Sequence, residues 1–287
     1  MTRLTSKDIE GIPETIVQHD QDLRKIVGAD LLDIAKLAAG FEGNLKVTFR
    51  NYRAKVVSIT SGKGVIGGFA QAVVAILNHI GLDAEVASRP DVGGFAEALK
   101  DGYNIVFAAD DEFFVGFNLR TPKYKRKWWY PSALAPKGYT YNFDATGRAY
   151  AAALEIKAGG LSGKPVALIG TGRVGSAAAD FLCRKGAKVY LFDLVAEKTK
   201  ALKDRYPESI FCCDSIVSCI SKANLVLLAA PGRGFIPASL VNNERIFSAP
   251  AMPLGFTRSA WAKLRKESLI HDHLELGVAA MAADLVK

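Results

Sequence analysis

The run VALIGTGRVGSAAADFLCRKGAKVYLFD, residues 166–193, restricts the fold more than any other stretch of the chain. An apolar strand pattern leads into Gly170, Gly172 and Gly175, a helical pattern follows, and a second apolar strand ends on Asp193. The three glycines alone would say little. With a strand before, a helix after and an acid closing the next strand, they read as a dinucleotide-binding turn. The first glycine permits the tight turn, the second lets a pyrophosphate approach the backbone, and the third lets helix pack on strand. Free N–H groups at the positive end of the helix then meet the pyrophosphate. The expected contacts are Gly170, Thr171, Gly172, Arg173, Val174 and Gly175, with Asp193 accepting from the ribose hydroxyls. A carboxylate there repels a 2′-phosphate, so the expected cofactor is NAD rather than NADP. AAPGRG, residues 229–234, follows a later strand and is expected to line the same crevice through Ala230 and Pro231.

Around this anchor the chain alternates between strand and helix. Residues 5–40 carry helical periodicity through Leu23, Ile26, Val27, Leu31 and Leu32, and the pattern ends at Gly40. KVVSIT (55–60), AEVA (84–87) and NIVFAAD (104–110) read as strands, with helical patterns at 65–80 and 95–102. A long, Pro-containing basic segment covers 118–143, a helix follows near 145–158, and GGLSGKP marks a boundary. Beyond it, strands at PVALIG, AKVYLFD, NLVLLAAP and RIFSAP alternate with helices, and the tail is helical. Strands separated by helices imply parallel sheets. The expectation is an α/β chain with a helical and α/β substrate domain over residues 1–158. A Rossmann-like, doubly wound parallel sheet with carboxy-terminal helices then covers 159–287.

Composition excludes several classes. With 49% hydrophobic and 23% charged residues, a chain of 287 can bury a substantial core. No apolar run reaches the ~18 residues of a membrane span, and the opening MTRLTSKDIEGIPE lacks a secretory apolar stretch. A cytoplasmic protein with no membrane partner is expected. Cys183, Cys212, Cys213 and Cys219 have no zinc-site spacing, and reduced thiols are expected. His271 and His273 flank Asp272, but no third ligand is evident, so no metal is expected. Much of the +8 net charge sits in RTPKYKRKWWY, residues 120–130. Basic and aromatic residues interleave in nucleic-acid surfaces, yet no nucleic-acid motif accompanies them. A loop over a ligand or against a partner subunit accounts for them equally, and no nucleic acid is expected. The apolar carboxy-terminal helix suits a monomer or a homodimer.

A second glycine-rich loop, ITSGKGVIGGF (59–69), also follows a strand. It lacks the Walker order, because Lys63 precedes Gly64, and the next strand closes on Arg89 rather than on an acid. It reads as a cradle for a small anion such as a carboxylate, with Ser61 adding a hydroxyl. The strand at 104–110 ends in Asp110, followed by Asp111. Such strand ends open on the ligand crevice, and neighbours on a strand face opposite ways, so at most one is expected to point into it. Asp91, in RPDVGG, reads equally as a site residue or as a cap for the following helix.

VSITSGKGVIGGF, RPDVGGFAEAL, ADDEFFVGFNL, ATGRAYAA, the run from 166 to 193 and SAPAMPLGF together resemble the pyrrolysine synthase family along nearly the whole chain. The resemblance implies an NAD-dependent oxidoreductase of pyrrolysine biosynthesis acting on a small molecule. It implies oxidation of the terminal amine of a 3-methyl-D-ornithine unit joined by an amide to lysine. Ammonia leaves, and an aldehyde-level group closes on the ornithine α-amine with loss of water. Under it, Ser61 and Asp110 match substrate-site positions, and the family's acid near the carboxy terminus falls on Asp272, with Glu275 a nearby rival. Asp110 and Asp272 are the candidate catalytic acids; Ser61, Asp111, Asn118, Asn142 and Glu275 are the candidate substrate contacts. The chain departs from the family pattern at Lys63, where a polar uncharged residue is expected, and in a longer, more basic segment from Arg120 to Tyr141. Two other readings remain open: a dehydrogenase of another small amine or amino acid, and a non-catalytic dinucleotide-binding or nucleic-acid-associated protein.

Overall fold

Glycines punctuate the amino-terminal helices where their periodicity ends. Helix α1 (Ser6–Ile9) is opened by Thr5, in a reciprocal box with Asp8. Helix α2 (Ile12–Val27) buries Ile12, Ile16, Leu23 and Val27, a stripe at helical spacing, and stops at left-handed Gly28. Helix α3 (Leu31–Ala39) is capped by the Asp30 carboxylate, which accepts from the Asp33 N–H at 2.9 Å. The short α4 (Leu45–Phe49) completes this layer. The structure, a computed structural model, describes residues 4–60, 64–110, 112–120 and 138–287. Ser61, Lys63, Asp111 and the basic segment beyond Arg120 lie outside the described residues.

The first sheet carries β1 (Arg53–Ser58), β2 (Asp83–Val86) and β3 (Ile105–Ala109), with α5 (Phe69–His79) and α6 (Asp91–Lys100) as their connections. It continues through β4 (Val115–Asn118) and β5 (Tyr139–Tyr141), in the order β2–β1–β3–β4–β5. The first three strands are parallel, whereas β4 and β5 are antiparallel. The parallel pairing expected of the first three strands holds; β4 and β5 are not among the strands read from the sequence. The turn between Ala109 and Val115 is too short for a crossover, so β4 must run back beside β3. Strands of four and three residues are also too short to show alternation in sequence.

Helix α7 (Asn142–Ala158) then leads into the second sheet. This sheet holds β6 (Pro165–Ile169), β7 (Lys188–Phe192), β8 (Ile210–Cys212), β9 (Leu225–Leu228), β10 (Ile246–Ser248) and β11 (Leu269–Ile270). Its connections include α8 (Arg173–Arg184), α9 (Ala196–Arg205), α10 (Ile216–Ile220) and α11 (Arg258–Lys263), and α12 (Glu275–Leu285) follows. All its pairings are parallel, in the order β8–β7–β6–β9–β10–β11, the doubly wound arrangement expected. The order reverses between β6 and β9, and that switch point opens a crevice at the carboxyl ends of the strands.

One continuous apolar core runs through both sheets, from Val56 and Phe107 to Val166 and Leu168. Helix α7 lies at its centre, against α8, α12 and α3. Helix α12 follows the second sheet in the chain but packs on α3, α5, α7, β4 and β5. It is buried almost all round, so its apolar composition is used within the chain. Arg148 of α7 fixes it, reaching both carboxylate oxygens of Asp284, at 2.9 and 2.5 Å, and the Ala38 carbonyl of α3 at 2.9 Å. Thr140 donates to the same Asp284 at 2.7 Å. Among the described residues no helix is long and apolar enough to cross a membrane.

A Cβ on Gly147 would run into the Val174 carbonyl and stand 2.9 Å from the Ala177 methyl, so α7 and α8 touch backbone to backbone. Gly147→Ala is therefore expected to push the two helices apart at a cost of about 1–3 kcal/mol. Urea denaturation reads the loss directly; an unchanged midpoint would show that the contact is slack.

Candidate active site

The fingerprint loop has the shape its glycines imply. Gly170 adopts φ 94°, and a Cβ there would lie 2.7 Å from the Ala230 amide nitrogen, across the switch point. A Cβ on Gly175 would collide with the Gly170 carbonyl. A Cβ on Gly172 meets nothing within 4 Å, so the second glycine borders open space, where a pyrophosphate needs it. Helix α8 begins there without a side-chain cap, leaving its first N–H groups for a ligand. Arg173, exposed on the first turn, lies 5.2 Å from the Phe143 ring centroid. The loops carrying Ala230 and Pro231 face Gly170 from β9, and the Ala229 N–H donates to the Ile169 carbonyl at 2.8 Å.

Asp193 closes β7 and holds the loop. Its carboxylate accepts from the Thr171 N–H at 2.6 Å, the Thr171 hydroxyl at 2.9 Å and the Val195 N–H at 2.8 Å. Burial alone would raise its pKa; these bonds outweigh burial and hold the carboxyl below its ordinary value. It is thus ionised near neutrality, with about one of its four lone-pair positions left for a ribose hydroxyl. The residues present fit a dinucleotide.

Beside the fingerprint helix lies a small cavity of about 40 Å³, lined by Asn142, Thr146, Tyr150, Val174, Pro250, Met252 and Asp272 among others. The structure brings Asn142 and Asp272 together here, from the start of α7 and the turn before α12. Gly277 makes this possible, since a Cβ there would strike the Thr146 hydroxyl and lie 2.7 Å from Asn142 Oδ1. The Tyr150 hydroxyl grips the backbone of Asp272, donating to its carbonyl at 2.9 Å and accepting from its N–H at 2.8 Å. Asp272 and Glu275 are both buried, and with His19 they form a group of three whose donor atoms lie within 4.8 Å of one another. Asp272 accepts from the Leu276 N–H at 3.2 Å, and Glu275 from the Leu274 N–H at 2.9 Å. Burial, and then repulsion by Glu275, push the Asp272 carboxyl well above its usual range. Capping α12 needs one carboxylate at the surface; two buried ones in mutual repulsion ask for a cationic visitor.

The other expected residues are scattered. Asp110 is buried at the carboxyl end of β3, accepting from the Glu112 N–H at 2.9 Å, and is not among the residues lining the cavity. Asn118 pairs with Ile105, at the opposite end of β3 from Asp110. Its amide donates to the Leu285 carbonyl at 2.5 Å and its oxygen accepts from the Arg120 N–H at 2.9 Å. Asn118 thus pins β4 to α12. Asp91 does not cap its helix. It opens α6 at φ 53°, and its carboxylate accepts from the Thr60 N–H and hydroxyl, both at 2.8 Å, steadying the loop that leads to Ser61.

Sequence reasoning missed His19 and Tyr150. His19 interrupts the buried stripe Ile12, Ile16, Leu23 and Val27 of α2, so a titratable group stands where an apolar one is expected. Tyr150 gives no comparable signal among the alanines of α7. His271 and His273 do not share the cluster; His271 Nδ1 lies 2.7 Å from the Ala249 carbonyl.

Comparison with known proteins agrees with these features. Residues 7–125 match the family described as pyrrolysine biosynthesis protein PylD, N-terminal domain, and residues 165–239 match the NAD binding domain of 6-phosphogluconate dehydrogenase. Pyrrolysine synthase of Methanosarcina acetivorans is 29% identical over 283 residues, 98% of each chain. That of Methanosarcina barkeri is 28% identical over 284 residues, 98% of this chain and 97% of its own. Quinate dehydrogenase from Corynebacterium glutamicum, solved in complex with NAD, shares the fold over 82% of this chain and 94% of its own, with a TM-score of 0.52 and 16% identity. The resemblance to the pyrrolysine synthase family read from the motifs thus extends over nearly the whole chain, and the fingerprint belongs to an NAD-binding domain.

Two outcomes follow from this geometry. Asp193→Ser removes charge-assisted bonds each worth about 1.5–3 kcal/mol, so NAD affinity should fall at least tenfold by calorimetric titration; unchanged affinity would refute the ribose assignment. The second concerns stability. The unfolded chain releases the Asp272 proton near the ordinary value of 3.8, while the folded chain keeps it to a higher pH. Stability is therefore lost as pH rises through the folded value. Asp272→Asn should melt at the same temperature as the wild type near pH 3.8 and increasingly above it toward neutral pH.

Proposed function

We propose, on the premise that the chain resembles pyrrolysine synthases along its length, that it uses NAD to oxidise the terminal amine of 3-methyl-D-ornithyl-Nε-L-lysine, with ammonia release and ring closure to pyrrolysine. The observation that carries this reading is the buried pair Asp272 and Glu275, beside a cavity that also borders the fingerprint helix through Val174. A primary ammonium brings the missing positive charge and three donors to that pair. The cavity, at about 40 Å³, takes the end of an alkyl amine and no more. The rest of the substrate extends into the wider cleft on the other side of Met252, toward Arg233 and Trp261.

Bound NAD supplies the hydride acceptor. The chain's own task is to present a neutral amine, because a carbon bearing ammonium does not give up hydride, and so a base must first take a proton. Asp272 suits that role: a carboxylate with a raised pKa is a stronger base than a free one. Tyr150 locks its backbone, and the Glu275 carboxyl lies close beside it, toward the iminium that forms. Asn142 orients the amine from the start of α7. Asp110, at the carboxyl end of β3, is assigned to a second ammonium group of the substrate, together with Ser61 and Asp111 of the neighbouring loops.

Mixing enzyme, NAD and the lysyl-linked methylornithine should give NADH absorbance together with the mass of pyrrolysine. Asp272→Asn is expected to lower kcat about 10²–10⁴-fold while NAD affinity stays unchanged. NAD binding by the wild type with no turnover of this amine would sink the proposal.

A further inference from the structure

His19 stands between the buried acid Asp272 and an open groove. On the inner side its Nε2 is buried, lacks a hydrogen-bond partner, and lies 3.9 Å from Asp272 Oδ2, the acid that faces the inner cavity. On the outer side the same ring lines an open groove with Asp22, Lys266 and His271. The His19 side chain is 23% exposed and that of Asp272 is 2% exposed, so the imidazole links the buried acid to the outer groove. An apolar residue here would continue the α2 stripe without stranding a ring nitrogen.

We propose that His19 is the proton exit of the buried acid pair, carrying to the outer groove the proton that amine oxidation leaves on Asp272. The inference rests on the function proposed above. Oxidation of an ammonium substrate sends two electrons and one proton away as hydride and leaves a second proton on the base. That base is 2% exposed and must be emptied before the next turnover. The Asp272 O–H bond breaks and an N–H bond forms at His19 Nε2. The imidazolium then releases its other ring proton to water in the groove, and no electron moves. The 3.9 Å gap closes by a small ring rotation or through one water.

Groups from each neighbouring element surround the pair. From α7, Tyr150 holds the Asp272 backbone; from the turn before α12, Glu275 repels a second negative charge and so favours Asp272 in its protonated form. Along the groove, Lys266 is paired with Asp22 at 2.9 Å, while Arg265 donates to the Asn243 carbonyl. His271 is tied to the Ala249 carbonyl and lowered by burial, and His273 stands beside it, 5.5 Å between ring centroids. Neither of these rings shares the donor cluster with Asp272 and Glu275.

The experiment compares wild type with His19→Gln and His19→Ala in the full chain, loaded with NAD and the lysyl-linked methylornithine. Both variants should bind NAD as the wild type does and lose kcat about tenfold or more, with KM nearly unmoved. Their kcat–pH profiles should shift, and the solvent isotope effect should grow. Free imidazole should restore His19→Ala and not His19→Gln. Without turnover, the His19 ring titration followed by NMR should move when Asp272 becomes Asn. Wild-type kcat and pH profile in His19→Ala would overturn the relay alone. A wild type idle on this amine would overturn the function beneath it. A stoichiometric divalent cation in the purified protein, lost in His19→Ala, would also overturn the relay, by showing the three donors as ligands.

Discussion

The contact between α7 and α8 sets the distance on which the rest of the site depends. Gly147 lets the two backbones meet at the Val174 carbonyl, in the first turn of the dinucleotide helix. The start of α7 supplies Asn142 and its middle supplies Tyr150, so both inherit their placement from that contact. On its other side α7 receives α12, and with it Asp272 and Glu275, through a second glycine at 277. One helix, approached closely from two directions, thereby sets acids from one end of the chain beside a nucleotide loop from its middle. A rigid element carrying both partners keeps a geometry that mobile loops would not.

Electrostatics sets the two carboxyl environments apart. Hydrogen bonds lower the proton affinity of Asp193, whereas burial and its neighbour raise that of Asp272. The same side-chain chemistry is thus biased in opposite directions by surroundings. The first holds the dinucleotide loop, and the second lies beside the small cavity at the start of α7.

Much of this was legible in the sequence. The fingerprint, its flanking strands and Asp193 specify a local geometry in one continuous stretch, and the structure reproduces it residue by residue. The candidate acids near the carboxy terminus came from family resemblance, because nothing local in HDHLELG distinguishes a cap from a site. Strand β4 went unread because it is four residues long and its reversal rests on a tight turn rather than on periodicity. His19 went unseen because its significance depends on Asp272, more than two hundred residues away, although the break it makes in the α2 stripe was visible. Asp91 showed the converse: a residue with capping chemistry was drawn instead to Thr60 across the strand ends.

The position of α12 bears on how such a chain is made. Its eleven residues leave the ribosome after every strand of the second sheet, yet they fill the space between α3, α7 and the first sheet. The nucleotide half can therefore assemble on the ribosome from neighbours already present. The half meant for the substrate waits with an open seam, Arg148 without Asp284 and α3 without its cover. Order of synthesis and order of completion run in opposite directions here, and a chain released early would hold its nucleotide loop while lacking both Asp272 and Glu275.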